Sequence, residues 1–139
     1  MRTIKFRGKR LDNNQWIIGS PTFIQDADGV WLEDENLDVV KVMPETLGQF
    51  TGLTDKNGKE IYEGDILHER VAIRIVDRRI VKFCYGSFIA ESTYNQGAQC
   101  YGAPHEKYQS LKYLSVNGIK IEVVGNIHDN PEFLKGGQL

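Results

Sequence analysis

Hydrophobic and polar residues alternate in short runs along most of this chain, which is the pattern of half-buried β-strands. In the first run, apolar Ile4 and Phe6 share one face, and basic side chains occupy the other. A polar turn follows at Asp12–Asn14, and Trp16–Gly19 then returns as a second strand. Residues Thr3–Gly19 therefore predict a β-hairpin.

Further short runs are rich in β-branched residues and are separated by turn residues, so they also predict strands. The predicted strands are Val39–Val42, Asp65–Glu69, Val71–Val76, Ile80–Phe83, Phe88–Tyr94 and Ile119–Val124. Arg78 and Arg79 fall in a predicted connection between two of them. Asn130–Leu134 predicts a last short helix, with Pro131 at its first position. We expect a mainly β fold: a small β-barrel or sandwich of short antiparallel strands with a short C-terminal helix.

The length of the chain predicts its domain organisation. Its 139 residues are enough for one domain with a substantial core. No linker separates two compositions. Residues 1–139 are therefore predicted to form a single domain, with a possible subdomain split near residue 46.

The central stretch Gln49–Asp65 carries the strongest turn signals in the chain. Asp and Asn side chains bond to the backbone ahead of them, and glycine adopts a positive φ without steric cost. Asp55–Gly58 is therefore predicted to be a tight turn, with a hairpin around it, and Glu63–Asp65 a second turn. The residues expected to have this structural role are Asp55, Asn57, Gly58, Gly64 and Asp65.

This stretch resembles the YopX family of bacteriophage and prophage proteins. The matching residues are Gln49–Leu53, Asp55–Gly58 and Ile61–Asp65. Three more pieces of the chain fit the family in order: Lys5–Arg7 followed by Trp16, Ile80–Phe83 followed by Gly86–Phe88, and Glu122–Glu132. The resemblance covers nearly the whole chain and implies a small, mainly β protein encoded by phages of Gram-positive bacteria. It implies no substrate, cofactor or catalytic residue.

Two segments depart from the family pattern. Arg7–Lys9 stands where the family often has Arg-Ala-Trp or a relative of it, and Tyr94–Tyr108 matches no recognisable pattern. Within the second segment, Asn95–Tyr108 is predicted to be a long loop, and such a loop within a domain is either functional or disordered.

Composition and charge narrow the class of protein. The net charge of −2 and the isoelectric point of about 5.9 argue against strong nonspecific binding to DNA, although a local basic patch remains compatible with them. No apolar run has the length of a membrane span, and the charged N-terminus does not resemble a signal peptide. We therefore expect a protein of the bacterial host cytoplasm, with Cys84 and Cys100 as reduced thiols and without a membrane partner.

The absence of catalytic motifs favours a non-enzymatic protein without a metal or cofactor. The preferred interpretation is a phage or prophage accessory protein that binds a macromolecular partner, either a protein or a nucleic acid, or that assembles with itself as a homo-oligomer. Short β domains expose strand edges that can pair with other copies.

Two alternative functions remain open. The first is a nucleic-acid-binding β module, because basic residues near aromatic ones can bind single strands. Its candidate residues are Arg70, Arg74, Arg78, Arg79, Lys5 and Arg7. The second is a metal-dependent hydrolase, which would need four side chains to converge: Glu63, Asp65, His128 and Asp129. Their spacing alone does not require such convergence.

Overall fold

The structure is a computed structural model that describes residues 3–84, 86–93, 108–110 and 120–134. These residues form strands joined by turns and two 3₁₀ helices. The chain divides into two compact units, Met1–Gly52 and Leu53–Leu139. The expectation of a mainly β fold is confirmed.

The first unit is built on antiparallel strands from the N-terminal part of the chain. Its strands are β1 (Phe6–Lys9), β2 (Trp16–Thr22), β3 (Val30–Glu33), β4 (Val39–Val42) and β5 (Gly48–Thr54), whose last two residues belong to the second unit. The hydrogen-bonded order is β4-β3-β2-β1-β5, and β6 (Glu60–Tyr62) continues this order beside β5. β1 and β2 pair from Phe6 with Gly19 to Lys9 with Trp16, which confirms the predicted first hairpin.

Few apolar side chains in the described part of the first unit are buried. Leu32 and Val42 are fully buried there. Gly8 makes this packing possible, since a Cβ at that position would lie 3.1 Å from the Val42 side chain. A 3₁₀ helix at Pro44–Thr46 leads into β5. Its Thr46 hydroxyl accepts a hydrogen bond from the Lys9 backbone N–H at 2.8 Å, which ties the segment to β1.

The second unit contains the other antiparallel sheet. Its strands are β7 (Asp65–Val71), β8 (Arg74–Cys84), β9 (Ser87–Ser92), β10 (Tyr108–Ser110) and β11 (Lys120–Asn126). They are ordered β10-β9-β8-β7-β11. Among the described residues of this unit, five buried side chains pack into one hydrophobic cluster: Ile61, Leu67, Val81, Ala90 and Ile121.

The predicted barrel and the predicted C-terminal helix are wrong. Both sheets are open in the described part of the chain, and a single bridge between Arg10 and Val42 brings the ends of β1 and β4 together without closing a barrel. Pro131–Leu134 forms one 3₁₀ turn, in which the Phe133 N–H bonds to the Asn130 carbonyl. A four-residue segment closed by an i to i+3 bond is too short for an α-helix.

Two predictions about the middle of the chain are also corrected. β8 runs without interruption from Arg74 to Cys84, so Arg78 and Arg79 lie within a strand instead of in a connection. Cys84 is disulfide-bonded, and the prediction of a reduced thiol at this position is wrong. Cys100 and all of the predicted Asn95–Tyr108 loop except Tyr108 lie outside the described residues, and Tyr108 begins β10.

Candidate functional site

The carboxylate of Asp55 organises the central turn. One oxygen accepts hydrogen bonds from the backbone N–H groups of Asn57 and Lys59, at 2.8 and 2.9 Å. The other accepts from the N–H of Val123 in β11 at 2.9 Å. Burial opposes ionisation of this carboxyl, but these three donors and the charge of Lys59 hold its pKa below the ordinary value. Asp55 therefore fixes both its own turn and the position of the turn on the sheet.

The second turn of the central stretch is equally bound to the backbone. Gly64 has a φ of +87°, a conformation that favours glycine. Its N–H donates to the Val81 carbonyl, and its own carbonyl accepts from the N–H of Ile127. The buried carboxylate of Asp65 accepts a hydrogen bond from the Tyr62 N–H at 2.8 Å. These contacts hold the turn in place, so Gly64 and Asp65 have a structural role.

The closing motif of the chain is a third capped turn. The Asn126 side-chain oxygen accepts from the N–H groups of His128 and Asp129, and its amide donates to the Asp129 carboxylate at 3.0 Å. The Asn126 N–H donates to the Asn130 side chain. A Cβ on Gly125 would overlap the Asn130 side chain, so this position needs glycine.

The four residues of the hydrolase hypothesis do not assemble into a metal site. No group of three His, Cys, Asp or Glu side chains that could hold a metal ion occurs within the described ranges. The carboxylates of Asp65 and Asp129 bind a backbone N–H and a side-chain amide instead.

Arg79 lies within a buried ion-pair network on the same face of the sheet as the core. Its side chain bonds to the Glu69 carboxylate at 2.9 Å, the Asp77 carboxylate at 3.2 Å and the Ala90 carbonyl at 3.0 Å. The residue is only 6% exposed. A guanidinium held in this way stabilises the sheet and is not presented to a partner.

Arg78 points to the opposite face, because successive residues of a strand alternate. Its guanidinium lies 4.5 Å from the ring centre of Phe133 and donates to Nε2 of His68. Burial and the charges of Arg78 and Arg70 lower the pKa of His68 below its ordinary value. Phe133 of the 3₁₀ turn therefore packs on a neutral histidine and a buried arginine.

The end of the β7–β8 hairpin has a different character. A two-residue turn, Ala72–Ile73, joins Val71 to its partner Arg74. Ala72 has a φ of +54°, which is uncommon for a residue with a Cβ. Ile73 is 94% exposed and Val71 is 55% exposed. This tip therefore presents aliphatic surface to solvent.

Four cations and one carboxylate surround this tip. Arg70 pairs with Lys120 across the β7–β11 ladder, and Arg74 follows the turn. Arg70 and Lys56 share the carboxylate of Glu122, at 2.9 and 4.0 Å. We call the hairpin turn Val71–Arg74, together with Arg70, Lys56, Lys120 and Glu122, the hairpin end.

Lys5 and Arg7 lie apart from these arginines in sequence, within the first unit. The Lys5 ammonium is 4.8 Å from the ring centre of Phe50, and the Arg7 guanidinium is 4.7 Å from that of Trp16. Lys5 and Trp16 also line an open groove of about 670 Å³, which the acidic segment Glu33–Asn36 lines as well. Both signs of charge therefore border the groove.

Sequence reasoning placed Arg70 and Arg74 among the candidates but missed the apolar tip between them. Val71–Val76 is rich in β-branched residues, as strands are, and no Gly, Pro, Asn or Asp marks the turn within it. Lys56 and Lys120 join the hairpin end only through long-range contacts, because the Lys56 N–H bonds to the Ile121 carbonyl beside Lys120. A local pattern does not contain that information.

Comparison with known proteins identifies the type of domain. A family model described as YopX protein matches residues 5–135. The crystal structure of protein EF1440 from Enterococcus faecalis is similar, with a TM-score of 0.58 and 23% sequence identity over 97% of this chain and 100% of that chain. No curated protein matches the chain. Within the described residues, no helix has the length and apolar character needed to span a membrane.

Proposed function

We propose that this chain, which belongs to the YopX family, is a phage- or prophage-encoded accessory protein of the host cytoplasm. It acts without catalysis, by binding a macromolecular partner or another copy of itself. The observation that carries this proposal is the hairpin end, where exposed aliphatic side chains are surrounded by cations.

The hairpin end differs from the polar residues that hold the turns and the sheet together, and this difference supports a role in binding. Asp55, Asp65 and Asn126 bond to backbone N–H groups, and Arg79 binds two carboxylates. These side chains have structural roles in the turns and the sheet. At the hairpin end, by contrast, Ile73 exposes apolar surface that stabilises nothing within the second unit. Exposed apolar surface rimmed by charge is typical of interaction sites.

The test is a pull-down from host lysate with the tagged full chain, the variant Ile73→Ser and the matched control Phe23→Ser. Phe23 serves as the control because its side chain is also largely exposed, at 85%, and it lies in the first unit. We expect a partner that Ile73→Ser loses and Phe23→Ser keeps. Light scattering of the same three proteins tests self-association in the same way. The proposal is wrong if neither a partner nor self-association depends on Ile73.

A further inference from the structure

We propose that the hairpin end binds duplex DNA, with the tip entering the major groove and the surrounding cations contacting phosphates. This inference rests on the proposed function, because it names the partner of the same surface. Its first support is charge. Arg70, Arg74, Lys56 and Lys120 carry four positive charges and Glu122 one negative charge, so the hairpin end has a local charge of +3. The whole chain has a net charge of −2, so this concentration selects an anionic partner.

The arrangement of these charges fits two walls of phosphate. Arg70 and Lys120 are register partners and point to one face of the sheet. Val71 and Arg74 are also partners and point to the other face, because neighbouring residues alternate. Within the described residues β11 pairs with β7 only as far as Arg70, so Val71–Arg74 forms a two-stranded end, and the major groove, which is about 12 Å wide, admits such a ribbon. With the tip in the groove, the cations at its base lie near the phosphates that border the groove.

The apolar tip fits the same partner. A ribbon that enters the groove brings the Ile73 side chain, which is 94% exposed, to the base edges, where aliphatic groups contact thymine methyl groups. An anionic lipid surface is the less suitable occupant. Ile73 and Val71 supply less apolar surface than a single myristoyl chain, which by itself gives only marginal membrane binding.

The proposed DNA-binding surface excludes Arg78 and Arg79, which the sequence had grouped with Arg70 and Arg74. Arg79 is held by Glu69 and Asp77, and Arg78 lies on Phe133 and His68. Neither guanidinium is available to phosphates without breaking those contacts. Arg74 and Lys120 replace them as the principal cations, and no ion pair involves either of them within the described residues.

The experiment is fluorescence anisotropy of the full chain with a labelled 30-base-pair duplex at 50 and 200 mM salt. The association constant varies as the salt concentration to the power of about −0.9Z, where Z is the number of phosphates that the protein neutralises. With Z of about 3, binding should weaken about 40-fold between 50 and 200 mM salt. The double variant Arg74→Ala, Lys120→Ala leaves about one contact, and its salt effect should fall to roughly fourfold. Ile73→Ser should weaken binding without changing the salt slope, because it removes no charge.

The matched control removes two cations from the first unit, Arg10→Ala with Lys41→Ala, and should bind like the native chain. Far-UV circular dichroism of every variant establishes that it is folded. Equal loss in the control and test variants would show diffuse charge binding and overturn the proposal. So would undetectable duplex binding, tighter binding to the single strand of the same sequence, or a preference for phosphatidylserine vesicles.

The same variants separate this inference from the proposed function. A protein partner that survives nuclease treatment and depends on Ile73 would uphold a binding function and overturn the DNA assignment. Loss of both duplex binding and every Ile73-dependent association would overturn both.

Discussion

Replacement of Asp55 by alanine tests whether the central turn is a structural device. The variant loses three hydrogen bonds to one carboxylate. The N–H groups of Asn57 and Lys59 lie in an exposed turn and regain water, so each bond resembles a helix cap worth about 1 kcal/mol. The Val123 N–H lies in β11, and leaving such a donor unsatisfied costs about 1–3 kcal/mol. The sum is about 3–5 kcal/mol.

Urea unfolding followed by far-UV circular dichroism measures this cost. With a slope of about 1.5 kcal/mol/M, the loss lowers the midpoint by about 2–3 M. Hydrogen exchange at the Val123 amide should accelerate most, because that donor loses its acceptor. The control is Asn57→Ala, which removes an exposed side chain from the same turn and should change stability by less than about 0.5 kcal/mol.

The pH dependence supplies a second check on the same residue. The folded state lowers the pKa of Asp55, so its contribution is complete above the unfolded-state pKa and disappears as pH falls through the folded-state pKa. The stability difference between the native chain and Asp55→Ala should therefore be constant near neutral pH and shrink in acid. A difference below about 1 kcal/mol at pH 7, or one that grows in acid, would refute the reasoning.

Three further predictions concern the second unit. Arg79→Met should destabilise it by about 3–5 kcal/mol in urea unfolding, because it leaves the buried Glu69 carboxylate and the part-buried Asp77 carboxylate without their cation; a stable variant would contradict this. Because the pKa of His68 is lower in the folded unit than in the unfolded chain, the unfolded chain binds the proton first, and the unit should become less stable as pH falls from 7.5 toward 5.5. The variant His68→Leu should lack this loss of stability, and a pH profile unchanged by the substitution would refute the prediction. Gly125→Ala should cost about 1–3 kcal/mol in thermal unfolding, because the added Cβ displaces the Asn130 side chain, whereas Gly86→Ala, where the space is open, tests the backbone effect of a positive φ alone.

The local part of this structure was predictable from the sequence. Alternation of Ile4 and Phe6 with basic residues predicted the first strand of the hairpin, and a run of β-branched residues predicted the strand at Val39–Val42. The turn at Asp55 was predictable because its carboxylate bonds to amides two and four residues ahead. The matching of the central stretch to a family also needed no structure.

Features that depend on partners distant in the chain became visible only in the tertiary structure. Arg78 and Arg79 were predicted to lie in a connection because they fall between the runs Val71–Val76 and Ile80–Phe83, yet Arg79 is buried in β8, where the strand register brings Glu69 and Asp77 to it. The hairpin turn at Ala72–Ile73 contains no residue that is typical of turns, so only the pairing of β7 with β8 shows where the turn lies.

The candidate site divides in the same way. Arg70 and Arg74 were visible as basic residues in one stretch, but Lys56 and Lys120 come from other parts of the chain. They join the hairpin end because β11 pairs with β7 and the Asp55 turn bonds to β11. A local pattern can show charge and apolarity, whereas the surface on which they meet is created by long-range hydrogen bonds and burial.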